Sequence, residues 1–160
     1  AVAHRPRVFS IEGINPLVLG GHWIPDLLEL AGGNQDLLPS GSAAKRLGWR
    51  EVHDYNPDKL FVDLCSSDLA RNLREVPWLE SQEGWRDMTC VQNGEVYLID
   101  HSYFSRPGPR TIEGLEILAQ LTHPDLFNGL VPRNAVVKLD VQRYAGRPDR
   151  EISDCFSPYH

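Results

Sequence analysis

Three short apolar runs divide the chain. Arg7-Val8-Phe9-Ser10-Ile11-Glu12, Lys59-Leu60-Phe61-Val62-Asp63-Leu64 and Glu95-Val96-Tyr97-Leu98-Ile99-Asp100 are too short for helices, and turn-forming residues bound them. Such runs predict buried strands. Between them the apolar period changes to that of a helix. Trp23, Ile24, Leu27, Leu28 and Leu30 mark a helix over His22–Ala31, with Pro25 in its first turn and Gly32-Gly33 at its end. Trp49–Asn56 predicts a short helix closed by Pro57. Leu69, Leu73 and Val76 predict another, capped by Ser66, Ser67 or Asp68 and interrupted at Pro77. Ile112, Leu115, Ile117 and Leu118 place a fourth over Thr111–Leu121. Asn34–Gly48 reads as loop, and Trp85–Gly94 has no clear period.

Strands separated by helices predict an α/β fold: a mostly parallel sheet with helices on both faces. Residues 7–127 form the expected lobe. Residues 128–160 are expected to be an extension, with one edge strand at Ala135–Leu139 and then a loosely ordered tail, because Arg143–His160 shows no period.

The chain has 160 residues and a net charge of −6, with no basic run to displace counterions from a phosphate backbone. Nucleic acid is therefore not an expected partner. No apolar run is long enough to insert in a membrane, and the start, Ala1-Val2-Ala3-His4-Arg5-Pro6, lacks the apolar stretch of a signal peptide. Cys65, Cys90 and Cys155 are odd in number and form no Cys-x-x-Cys, which predicts reduced thiols packed as small apolar groups. His22, His53, His101 and His123 lack the spacing of a helical metal site, and none of the common nucleophile or phosphate-loop motifs occurs. Metal and cofactor are accordingly not expected to be required.

Ligands of open parallel sheets bind beyond the carboxy ends of the strands. Three loops qualify: Glu12 to Trp23, the segment after Leu64, and His101 to Arg106. The third carries Tyr103 and Phe104 beside Arg106, a combination suited to a flat, partly apolar ligand with a polar rim.

At these loops the chain resembles a known family. Arg7-Val8-Phe9, Gly20 to Gly33, Asn56 to Val62, Asn93 to Tyr97 and Tyr103 to Arg110 are similar, in order and spacing, to the carboxy-terminal lobe of vitamin B12-binding periplasmic proteins and siderophore-binding relatives. The resemblance implies one lobe of a class III periplasmic-binding-protein fold, serving an ABC transporter and binding without catalysis. It implies a corrinoid or siderophore-like ligand held between this lobe and an amino-terminal one, in a periplasmic or extracytoplasmic setting. Glu12, Pro16, Leu17, Trp23, Trp49, Tyr103, Phe104 and Arg106 fall on this lobe's share of the cleft. Where the family carries a carboxylate that docks on a permease arginine, this chain reads His53-Asp54-Tyr55, with Tyr55 in that place and Asp54 as the nearest surrogate. Two alternatives stay open: a protein-interaction domain built from the same half-cleft, and a metal-dependent enzyme.

Overall fold

The structure, a computed structural model, describes residues 4–104, 108–145 and 149–160. Seven strands form one sheet: β1 (Val8–Gly13), β2 (Leu17–Leu19), β3 (Lys45–Leu47), β4 (Lys59–Val62), β5 (Val96–Ile99), β6 (Val136–Leu139) and β7 (Phe156–Tyr159). Their spatial order is β3-β2-β1-β4-β5-β6-β7. The three strands foreseen from the sequence are its centre, paired in parallel as β1–β4 and β4–β5. The flanks are antiparallel ladders, β2 and β3 on one side and β6 and β7 on the other. Only β2 and β6 oppose the common direction, so the sheet is mostly parallel in strand sense although its outer pairings are antiparallel.

Side chains alternate across the pleat. Phe9, Ile11, Leu60, Val62, Val96 and Leu98 face one core, shared with helices α2 (Trp49–Tyr55), α3 (Leu69–Glu80), α4 (Thr89–Gln92) and α6 (Val141–Ala145). Val8, Phe61, Tyr97 and Ile99 face the other, under α1 (Ile24–Leu30) and α5 (Pro109–Thr122). Helices therefore cover both faces, as expected. Leu30 and Ile112, which completed the apolar period of α1 and α5 in the sequence, point to solvent.

Two expectations about the chain beyond Phe127 are corrected. The tail is not loosely attached: Tyr144, Ile152, Cys155 and Phe156 are buried in the same core as Phe9 and Leu60. Nor is the strand at Val136–Leu139 an edge, because β7 pairs along its outer side. A polar, aperiodic segment contributes to the core here because Tyr144 sits in the five-residue helix α6, Ile152 and Cys155 in a 3-10 turn, and Phe156 at the head of a strand. None of these elements is long enough to show a helical period in the sequence.

The same tail explains why α3 runs through Pro77 rather than stopping there. Proline has no N–H to donate to the carbonyl four residues earlier. That carbonyl, Leu73 O, accepts instead from the Ser153 hydroxyl at 2.7 Å. Strands β2 and β3 fall where loops were expected. Each has only three residues, below the length at which alternation is legible.

Candidate functional site at the carboxy ends of the strands

The parallel strands β1, β4 and β5 end together, and the chain leaves them through polar residues. A buried network ties these ends to one another. Ser10 Oγ donates to Asp63 Oδ1 at 2.8 Å, joining β1 to the residue after β4. His101 Nδ1 lies 3.0 Å from Asp63 O and 3.7 Å from Asp63 Oδ2, joining that residue to the end of β5. Asn72, fully buried on α3, donates to Ile99 O at 2.9 Å and accepts from Ser67 Oγ at 2.7 Å. Asp68 caps α3 by accepting from Arg71 N at 2.9 Å, which sets the helix start beside the strand ends.

Beside this network, against α3, lies a groove of about 580 Å³, within the range of small-molecule sites. Glu12 and Cys65 lie side by side in it, held together by Cys65 N donating to Glu12 O at 2.9 Å. The turn Gly13–Pro16 forms one wall, and Arg71 and Glu75 of α3 form the other. A second hollow of about 440 Å³ shares Ile14, Asn15, Arg71 and Glu75 and extends to Arg74 and Trp78. The β1–β2 register slips between Ile11 and Gly13, so Glu12 occupies a bulge, a device that re-aims a side chain. Asn15 and Ser66 adopt positive φ, 52° and 58°; such backbone is found at functional loops more often than elsewhere.

The electrostatics of the groove are mixed. Burial, then the neighbouring Asp63, push the Glu12 carboxyl above its usual range. Burial likewise raises Asp63, while its bond to Asp63 raises His101. Arg71 pairs with Glu75 at 3.4 Å. The site thus offers apolar contact from Ile14, Pro16 and Val18, and polar contact from Glu12, Arg71 and Glu75. Among the described residues no group of three or more His, Cys, Asp and Glu side chains converges as metal ligands would. Ser10 donates to Asp63 rather than to His101, so the buried serine, aspartate and histidine do not make a nucleophile–base pair.

The sequence-derived site residues divide into groups. Glu12 and Pro16 line the groove. Leu17, in β2, and Phe104 are buried core residues, which corrects their assignment as ligand contacts. Phe104 packs so closely on α5 that a Cβ at Gly114 would meet its ring at 2.9 Å. Trp23 and Tyr103 are half-buried beside it, with Trp23 Nε1 donating to Phe104 O at 3.1 Å and Arg110 stacked 5.3 Å from the Tyr103 ring. Trp49 packs on the opposite face of the sheet, against Trp85 at 6.1 Å, its indole N–H donating to Glu83 O at 2.7 Å. The sheet therefore separates Trp49 from Tyr103. Arg106 lies outside the described residues. Ile14, Cys65, Arg71 and Glu75 were not foreseen. The available signal was the Asp68 cap, which fixes Arg71 three residues into the helix, on the turn nearest the strand ends.

Of the two docking candidates, Asp54 is exposed and lies 3.9 Å from Arg50 and 4.0 Å from His53. Tyr55 is anchored instead: its hydroxyl donates to Asn34 O at 3.0 Å and Val8 O at 3.3 Å, and burial pushes it up to about 12. Tyr55→Phe is expected to cost about 1–2 kcal/mol of stability through the two carbonyls left without this donor, measured by urea denaturation. An unchanged midpoint would mean that the hydroxyl is not an anchor.

No family model matches the chain. Among curated proteins it is 34% identical over 86 residues to an uncharacterized ABC transporter substrate-binding lipoprotein, YvrC, of Bacillus subtilis strain 168; the match spans 54% of this chain and 26% of that protein. Among solved structures it resembles an ABC transporter substrate-binding protein from Listeria monocytogenes EGD-e, with a TM-score of 0.66, 17% identity, and coverage of 76% of this chain and 49% of the other. It also resembles the periplasmic vitamin B12 binding protein BtuF of Vibrio cholerae, with a TM-score of 0.59, 18% identity, and coverage of 78% and 47%. The chain thus spans about a quarter of the curated relative and about half of each solved structure. At these identities the solved structures establish the fold: an α/β unit of the kind found in ABC-transporter substrate-binding proteins.

Proposed function

We propose that this chain is a ligand-binding lobe of an ABC-transporter substrate-binding protein and that it holds a large, partly apolar ligand of the corrinoid or siderophore class without chemical change. The observation that carries the reading is the groove beyond the carboxy ends of β1 and β4, with its mixed apolar and polar lining. The likeness to BtuF of Vibrio cholerae, a vitamin B12 binding protein, supports a corrinoid. Ile14, Pro16 and Val18 supply apolar contact, and Glu12 and Arg71 orient rim groups. A second lobe encloses the other side of the ligand, and a permease docks on exposed carboxylates, of which Asp54 is the candidate on α2.

One lobe covers one face of a ligand, so the isolated chain binds weakly. The entropy cost of association is about 4–15 kcal/mol, and the expected dissociation constant is about 1 μM to 1 mM. Cyanocobalamin, haemin and a ferric hydroxamate are titrated calorimetrically into the chain and into Ile14→Asp. Binding of at least one, weakened about tenfold or more by Ile14→Asp, is the expected result. Heat changes indistinguishable from dilution for all three, or affinity untouched by Ile14→Asp, contradict the assignment.

A further inference from the structure

Asp63 and His101 are nearly inaccessible to solvent, and Glu12, which lines the groove, is partly buried beside them. Each comes from a different strand end: Glu12 from β1, Asp63 from the residue after β4, and His101 from the first position past β5 and its Asp100. His101 also opens the turn His101–Phe104. Its backbone N–H donates to Ser67 O at 3.2 Å, and its carbonyl accepts from Phe104 N at 2.8 Å. Phe104 O in turn accepts from the Trp23 indole. A short path of direct bonds therefore runs from Asp63 to Trp23.

We propose that His101 is a positioning residue which, through Asp63 and Glu12, couples its protonation to the posture of the Glu12 edge of the groove and of the turn His101–Phe104. Protonated, the imidazolium offsets the two carboxylates that face it. Deprotonated, it keeps one N–H but loses its charge and leaves Asp63, held by the Ser10 hydroxyl, and Glu12 to repel each other. The other groups around His101 do not replace that charge. From α3 and the segment before it come Asn72 and Ser67, which are neutral. His22, between β2 and α1, acts on Glu12 and packs 5.9 Å from the Trp23 ring, so the titration is read in a His22→Gln background. On the turn itself, Asp100 accepts from Ser102 N, and Arg110 is engaged by Ser102 and the Tyr103 ring.

The sign follows from the three groups together. Glu12, Asp63 and His101 all hold protons more tightly folded than unfolded. Folding therefore takes up protons, and stability falls as pH rises. The fall begins near the ordinary carboxyl range and runs through the folded His101 midpoint, above the ordinary 6.5. On the mildly acidic side the charges of this cluster are offset and it is fixed; on the alkaline side it loosens.

The proposal rests on reading the groove as a ligand site, yet its test needs no ligand, so the two fail separately. The full chain is titrated by NMR from pH 5 to 9, following the His101 ring, the Trp23 indole proton (assigned with Trp23→Phe) and the Cys65 amide. All three are expected to move with one midpoint above that of free histidine. Glu12→Gln, a substitution at a partly exposed position, lowers that midpoint by a few tenths of a pH unit, because one facing carboxylate is gone. His101→Gln abolishes the transition at Trp23. A Trp23 indole and Cys65 amide that stay flat while His101 titrates, or a midpoint unmoved by Glu12→Gln, overturn the proposal. A merely structural histidine gives that result.

Discussion

Removing residues 128–160 is expected to abolish cooperative folding. The deletion takes away β6 and β7, two of the seven strands, and strips the pairing from one side of β5. It also removes Val131, Val136, Leu139, Tyr144, Ile152 and Phe156 from the two cores. Each fully buried side chain of this kind is worth about 1.5–3 kcal/mol. Together the loss is on the order of 10 kcal/mol, comparable with the entire stability of a small domain. Two further ties go with it: the Ser153 hydroxyl on Leu73 O, and the Tyr144 hydroxyl, which donates to Glu80 and accepts from Trp85 Nε1. Circular dichroism on heating is the measurement. A sharp transition in the truncated protein, within a few degrees of the full chain, would show that the tail is dispensable.

The second large effect is expected at Asn72. Its side chain is fully buried and spans Ile99 O and Ser67 Oγ, so it fastens α3 to the end of β5 and to the segment after β4. Asn72→Ala leaves the buried Ile99 carbonyl short of this donor, unties α3 from Ser67 and opens a small cavity. An unsatisfied buried group costs about 1–3 kcal/mol, so the expected loss is about 3 kcal/mol, read from urea denaturation. Asn72→Asp is expected to be no better, because it places a second carboxylate near Asp63 and offers no donor to Ile99 O. A loss below about 0.5 kcal/mol in Asn72→Ala, within the range of ordinary surface changes, would mean that the bridge carries no weight.

The central three strands were legible because each alternates across two cores while remaining wholly apolar at its centre, as Leu60-Phe61-Val62 does. Helices α1 and α5 were legible from their spacing, and the resemblance placed them in the right family of folds. What escaped has physical reasons. Strands β2 and β3 are three residues long, and Lys45-Arg46 in β3 is an exposed, charged edge that reads as loop. Pro77 looked like a helix end because the hydroxyl that takes over its lost bond comes from Ser153, far along the chain. The site was legible only as a location. That ligands sit past strand ends pointed to Glu12 and to the segment after Leu64. The aromatic residues drew attention away from them, yet Phe104 is buried in one core, while Trp49 packs half-buried against the other and lines a separate hollow with Arg50, His53 and Asp54. Cys65, expected as a packed thiol, is exposed in the groove, whereas Cys90 and Cys155 are buried as expected.

A ligand is expected to enter the groove between the turn Gly13–Pro16 and α3. Amide chemical-shift mapping of the full chain during a cyanocobalamin titration is the test. Saturable changes are expected at residues 12–18, Cys65 and Arg71–Glu75, with Trp49 and His53 unaffected. Changes centred on Trp49, His53 and Asp54, with residues 12–18 still, would contradict it.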